Sequence, residues 1–263
     1  MNRYPESNMR VFREVAYGGP LQVADVVLPD SDGPVPLVLC IHGGGWISGD
    51  RTMYHEEAAW LAHHGLGAAC VSYRLAPLHP FPAAIADIQA AARFFQANAQ
   101  EFGIDADRMG TFGNSAGGHL SLMLGLSQTA FDQPDLPAPR VQAVVSVCGI
   151  SDIRNPREAH NPVSWGFLDQ FLEGLDDEEK NAAASPITHV HPAAPPILLL
   201  HGDEDDIVPV SQSQQMAANL STHGVTAEFI PLPGEGHSFT LPGWTSVRHH
   251  TLRFLRDHLG IPA

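Results

Sequence analysis

Apolar positions along the chain follow two alternating rhythms. Residues 36–41 (Pro-Leu-Val-Leu-Cys-Ile) form a nearly unbroken apolar run. A run without a polar face fits a central strand covered on both sides. Residues 21–28 alternate only in part and stop at Pro29, which predicts a strand near a sheet edge. Further strands are predicted within 67–73 and at 109–112, 141–147, 196–200 and 225–231. Helical patterns fall between them, at 53–64, 83–101, 118–126, 212–223 and 244–259. In 83–101, Ile85, Ile88, Ala92 and Phe95 share one face. The beat of strand, helix, strand predicts an α/β domain with a mostly parallel sheet. In such sheets the functional loops gather at the carboxyl ends of the strands. The proline-rich stretch 134–139 reads as a surface link. From 151 to 190 the rhythm degrades, and Trp165, Phe167 and Phe171 are followed by the acidic run Asp176-Asp177-Glu178-Glu179. This predicts a small insertion covering the site, with Trp165, Phe167 or Phe171 touching substrate. A surface helix with its own small core is the alternative.

The 263 residues suit one α/β domain, taken as 1–263 with 151–190 as its insertion. A formal net charge of -15 argues against nucleic-acid binding, which needs a basic footprint. It also disfavours polyanionic substrates, whereas neutral esters or amides approach without penalty. No apolar run is long enough to span a bilayer, and residues 1–7 have no hydrophobic signal core. A cytoplasmic protein is expected. Cys40, Cys70 and Cys148 each lie in an apolar run, which favours buried reduced thiols. The pairs His63-His64 and His249-His250 do not have the spacing of a ligand set, so no metal is expected.

Chemistry enters at Gly113-Asn114-Ser115-Ala116-Gly117. This Gly-x-Ser-x-Gly follows a predicted strand and precedes a predicted helix, the context of a nucleophile elbow. The amide of Ala116, at the helix N-terminus, points where an oxyanion would form. A second signal is His42-Gly43-Gly44-Gly45-Trp46, directly after the central strand. Three residues without side chains let backbone amides crowd round one negative oxygen. His42 reads as structural, hydrogen-bonded to loop backbone, and Trp46 as a wall of the site. Asp87 also reads as structural, pairing with Arg74.

A serine hydroxyl needs a base, and the base needs a carboxylate. In this type of sheet the order is Ser, then Asp or Glu, then His. Two later loops fit, 201–209 and 234–239. His237 stands among small residues in the second loop and fits better than His249 or His250 on the last helix. Periodicity alone leaves Asp203, Asp205 and Asp206 open.

Together, 42–46, the stretch from Tyr73-Arg74-Leu75-Ala76-Pro77 to Asp87, and 113–118 resemble the α/β-hydrolase superfamily. They look most like the esterases related to hormone-sensitive lipase and the compact microbial carboxylesterases, feruloyl-esterase-like proteins among them. The likeness runs from about Val35 to the C-terminus. It implies an α/β-hydrolase fold and a serine carboxylesterase acting on small to medium esters, of short-acyl or aryl type. The family's His-Gly-x-x-Asp-x-x-Val-Pro pattern falls on His201, Gly202, Asp205, Val208 and Pro209, which selects Asp205. Its oxyanion donors fall on Gly44, Gly45 and Ala116, with Gly43 a further contributor. Two departures stand out. Leu78 replaces a glutamate of many relatives, and the segment before Leu21 is short for a full helical cap, which implies a more open site. The resemblance calls for no cofactor. It implies a small-molecule ester as partner, allows a homodimer, and requires neither nucleic acid nor membrane. Competing readings are an arylformamidase or other amide hydrolase on the same fold, and a non-catalytic ligand-binding protein. Binders on this scaffold lose the histidine found here at His237.

Overall fold

The apolar runs assemble into one eight-stranded sheet. The computed structural model describes residues 9–131, 133, 135, 138–159 and 161–261. Residues 1–7, read above for a signal core, lie outside this description, as do 134, 136 and 137 of the proline-rich link. In chain order the strands are β1 (Met9–Ala16), β2 (Val23–Pro29), β3 (Val35–Ile41), β4 (Gly67–Val71), β5 (Ile104–Asn114), β6 (Ala143–Val147), β7 (Ile197–Gly202) and β8 (Ala227–Leu232). They lie in the order β1-β2-β4-β3-β5-β6-β7-β8. The β1–β2 and β2–β4 pairs are antiparallel, and every other pair is parallel. The expected mostly parallel sheet is therefore present. β2 lies near the edge as expected, one strand in from it, with β1 outside. The apolar pattern does not predict β1.

The helices are α1 (His55–His63), α2 (Ala83–Ala97), α3 (Ala99–Phe102), α4 (Ala116–Leu126), α5 (Pro156–Ala159), α6 (Pro162–Leu172), α7 (Glu178–Ala183), α8 (Ser211–Thr222) and α9 (Leu241–Leu259). The single helix expected over 83–101 is interrupted at Asn98. Gly103 ends α3 in the left-handed region at φ 69°. β5 begins at Ile104, ahead of the expected apolar run.

β3 shows why its sequence carries no polar face. Leu37, Leu39 and Ile41 enter a core shared with α2, α4 and α8. Val38 and Cys40 enter the opposite core, shared with α1 and α9. Side chains alternate across a strand, so a strand between two helical layers must be apolar at every position. α4 is likewise buried nearly all round. It packs on β5 and β6 and against α2, which leaves no solvent face for polar residues. All three cysteines are buried free thiols, as their apolar surroundings required. Among the described residues no helix is long and apolar enough to cross a membrane.

Candidate active site

Five loops at the carboxyl ends of β3, β5, β6, β7 and β8 converge at one end of the sheet. The turn after β5 is the tightest. Ser115 sits at φ 54°, ψ -121°, a conformation that costs a non-glycine residue about 1–3 kcal/mol. The strain persists because the turn is wedged in place. A Cβ on Gly117 would lie 2.0 Å from the carbonyl oxygen of Ile41, and one on Gly113 would lie 2.4 Å from that of Gly117. Only glycine allows β3, β5 and α4 to approach so closely. The Ser115 amide donates to the Val147 carbonyl at 2.8 Å, tying the elbow to β6.

The Ser115 hydroxyl donates to His237 Nε2 at 3.0 Å. His237 Nδ1–H donates to Asp205 Oδ2 at 2.7 Å. Of the three candidate acids, Asp205 is the one within reach. Asp203 instead accepts from the Gly234 amide at 2.7 Å, and the Asp206 carbonyl accepts from Asn161. His249 and His250 lie on α9. Asp205 Oδ1 accepts the amides of Ile207 and Val208 at 2.9 and 2.8 Å. His201 Nε2 lies 3.2 Å from Oδ2.

These contacts set the protonation states. Burial alone would raise the Asp205 carboxyl, but its hydrogen bonds with His201 and His237, the His237 charge and the Val208 amide hold it well below the usual carboxylate range. Burial would lower His237, yet hydrogen bonds with Asp205 and the Cys148 sulfur, with the negative charge around it, push it up to about 10. The result is an imidazole whose affinity for a proton is strengthened by its surroundings.

The loop after β3 carries the glycines. Gly44 and Gly45 adopt φ 107° and 60°. The turn closes through the Gly44 carbonyl, which accepts from the amides of Ile47 and Ser48, both at 3.1 Å. Ala116 is the first residue of α4, and the first amides of a helix have no partner within it. Beside the glycines, His42 Nδ1–H donates to the Gly43 carbonyl at 2.7 Å, and its ring stacks on Tyr73. His42 thus has the structural place expected of it. Asp87 does too: it is fully buried and accepts from Arg74 Nη2 at 2.6 Å.

A cavity of about 480 Å³ opens over Ser115. Its walls include Gly43, Gly44, Gly45, Trp46, Ser115 and His237. Met53, Ile150, Val163, Phe167, Phe239 and Trp244 supply apolar surface. Among the described residues the lining has no aspartate, glutamate, lysine or arginine. Phe167 lies against the glycine loop, where a Cβ on Gly45 would come 2.6 Å from its ring. Trp165 does not line the cavity, contrary to expectation. Val163, Ser164 and Phe167 share the cavity side of α6, and the helical period turns Trp165 away from them. It packs against the core instead. Trp46 is only 1% exposed, so it is mostly a buried support beneath the wall.

Three neighbours of the site went unread in the sequence. Cys148 follows β6 directly and is buried beside Asp205 and His237, with donor atoms of the three within 4.8 Å of one another. Its place at the end of a parallel strand was a usable signal. This group offers the donor types of a metal site. However, Nδ1 and Oδ2 stand 2.7 Å apart and share a proton. Two ligands of one tetrahedral zinc, each about 2.0–2.1 Å from it, sit farther apart than that. The arrangement fits a hydrogen-bonded pair. His119 is fully buried on α4, the one histidine in a mostly apolar helix. Asn114 accepts from the Tyr54 hydroxyl at 3.0 Å at the cavity floor.

Comparison with known proteins places this geometry. Residues 24–220 match the BD-FAE family. The chain is 34% identical over 246 residues to esterase LipC of Mycobacterium tuberculosis (strain ATCC 25618 / H37Rv), covering 87% of this chain and 60% of that protein. It is 30% identical over 228 residues to ethyl acetate hydrolase of Pseudomonas putida, covering 82% of this chain and 70% of that protein. Among solved structures, a bacterial heroin esterase superposes with a TM-score of 0.84 at 26% identity, covering 98% of this chain and 86% of the other. The chain spans about three-fifths of the length of the Mycobacterium relatives it matches. With the matched segment, the eight-stranded sheet and the elbow serine in one frame, the chain belongs to the BD-FAE family of the α/β-hydrolase superfamily.

Proposed function

We propose that the chain is a serine carboxylesterase acting on small to medium uncharged esters. The observation that carries this reading is the unbroken hydrogen-bond chain from Ser115 through His237 to Asp205, beside the glycine loop. Ser115 Oγ attacks the ester carbonyl carbon while His237 Nε2 takes the hydroxyl proton. Asp205 holds the tautomer with hydrogen on Nδ1 and stabilises the imidazolium. The amides of Gly44, Gly45 and Ala116 receive the oxyanion. Each such donor is worth about 3–4 kcal/mol of barrier. Collapse of the tetrahedral species expels the alcohol, which takes the proton from Nε2. Water then attacks the acyl-enzyme, giving its proton to His237, and the acid leaves as the serine recovers its hydrogen.

The lining supports the substrate class. Among the described residues the wall carries no carboxylate, ammonium or guanidinium group to pair with an ionised substrate, and the net negative charge repels anions. Likeness to an ethyl acetate hydrolase and a heroin esterase supports short acyl groups on alkyl or aryl alcohols. The test is fluorophosphonate labelling together with hydrolysis of a p-nitrophenyl ester series and of formyl-anilides. Labelling at Ser115 and preference for acetyl to butyryl esters is the expected result. No labelling would favour a binding protein, and preference for the anilides an amide hydrolase.

A further inference from the structure

We propose that His119 is a positioning residue for the oxyanion loop, acting through Trp46; this rests on the esterase reading. Trp46 directly follows Gly45 and holds φ 61°, a left-handed conformation that a bulky aromatic residue rarely adopts. Something must hold it there. Its indole N–H donates to His119 Nδ1 at 3.2 Å, and its ring stacks on Phe171 with centroids 4.3 Å apart. An indole can only donate, so Nδ1 must be the acceptor and Nε2 carries the proton. Nε2–H then donates to the Ala184 carbonyl at 2.8 Å. Both ring nitrogens are committed, and the ring is fully buried.

This places one imidazole at a three-way junction. His119 is one helical turn beyond Ser115, and its amide donates to the Ser115 carbonyl at 2.9 Å. Trp46 belongs to the oxyanion loop. Ala184 and Phe171 belong to the segment after β6 that covers the site. The junction therefore fixes the glycine amides relative to the nucleophile with side-chain bonds, where no sheet ladder reaches. It works only with a neutral ring, because a protonated Nδ1 cannot accept. Burial keeps it so, pulling His119 down to about 4.

Trp46 and His119 need not touch substrate for this role, so the effect belongs to transition-state stabilisation. In His119→Leu and Trp46→Phe, which remove the acceptor and the donor, kcat on p-nitrophenyl acetate should fall at least tenfold with KM within twofold. A trifluoroketone transition-state analogue should lose affinity in proportion, while a product carboxylate should not. The double variant should be no slower than the slower single one. His119→Gln, whose amide can accept from Trp46 and donate to Ala184, should recover to within threefold of wild type. If His119→Leu does not fold, Trp46→Phe and His119→Gln carry the test. Unchanged kcat, a change confined to KM, additive losses or no recovery in His119→Gln would overturn the proposal. Ser115→Ala is assayed alongside, since its retained activity would overturn the esterase reading instead.

Discussion

The floor and the roof of the cavity are held by different forces. The floor consists of the turns that end β3, β5, β6, β7 and β8. Main-chain bonds pin it: Ser115 to Val147 at 2.8 Å and Cys148 to Leu200 at 2.7 Å. The roof is α6, held largely by side chains. Asn161 caps it by accepting from the Val163 and Ser164 amides, Asn161 and Ser164 reach the Ile207 carbonyl, and Phe167 leans on Gly45. Val163 remains 54% exposed at the rim. A backbone-built floor has few alternative geometries, whereas a side-chain-built roof can be reshaped by one substitution. Bond-making should therefore reside in the floor and substrate choice in the roof.

Variants can break that division. The largest effect is expected for Ser115→Ala, a loss of about 10⁴–10⁶ in kcat with the melting temperature retained. Steady-state assay with p-nitrophenyl acetate and thermal denaturation check it. Substantial turnover would remove Ser115 from the floor's chemistry. Asp205→Asn follows, with a loss of about 10⁴.

That variant also sharpens the pH dependence. His237 must be neutral to accept a proton, and its affinity for protons is raised by its surroundings. kcat/KM should thus climb with pH through a midpoint above the ordinary imidazole value of about 6.5. Asp205→Asn should move that midpoint down. An unchanged midpoint in the variant would contradict the assigned coupling.

Gly45→Ala probes where floor meets roof. The new methyl would press on Phe167, and the displaced amide should cost about 10²–10³ in kcat. Adding Phe167→Ala should restore part of the loss. Equal loss in the double variant would mean that the clash lies elsewhere. Phe167→Ala alone is the mildest change. It should shift the ratio of hexanoyl to acetyl ester turnover upward by roughly tenfold, in line with the modest worth of apolar pocket contacts. A fall in acetate turnover with no change of ratio would place Phe167 in the floor's machinery.

The same division explains what could be read in advance. The floor was legible because each part obeys a local rule. A strand covered on both faces is apolar throughout, as in β3. An elbow too tight for side chains needs Gly113 and Gly117. A loop that presents amides needs glycines at 43–45. Asp205 was legible only through resemblance, since Asp203, Asp205 and Asp206 are alike as residues and differ in where the turn after β7 aims them. The roof was legible only in outline, as an aromatic-bearing segment expected to cover the site, because its contacts join positions far apart in the chain. Trp165 and Phe167 are equivalent as aromatic residues, and only the rotation of α6 separates them. β1 escaped notice because its alternation is weak and its partner strand makes it a strand.

The amino-acid order alone determined the sheet's character, the tight Gly-x-Ser-x-Gly turn and the glycine loop, because each depends on sterics within a few residues. Only the tertiary structure decided which carboxylate serves His237, which aromatic faces the cavity, and that His119 and Cys148 lie against the machinery. Those outcomes depend on how separate loops are aimed after the core closes. Distances across a fold are fixed by packing, which no short stretch of chain encodes by itself.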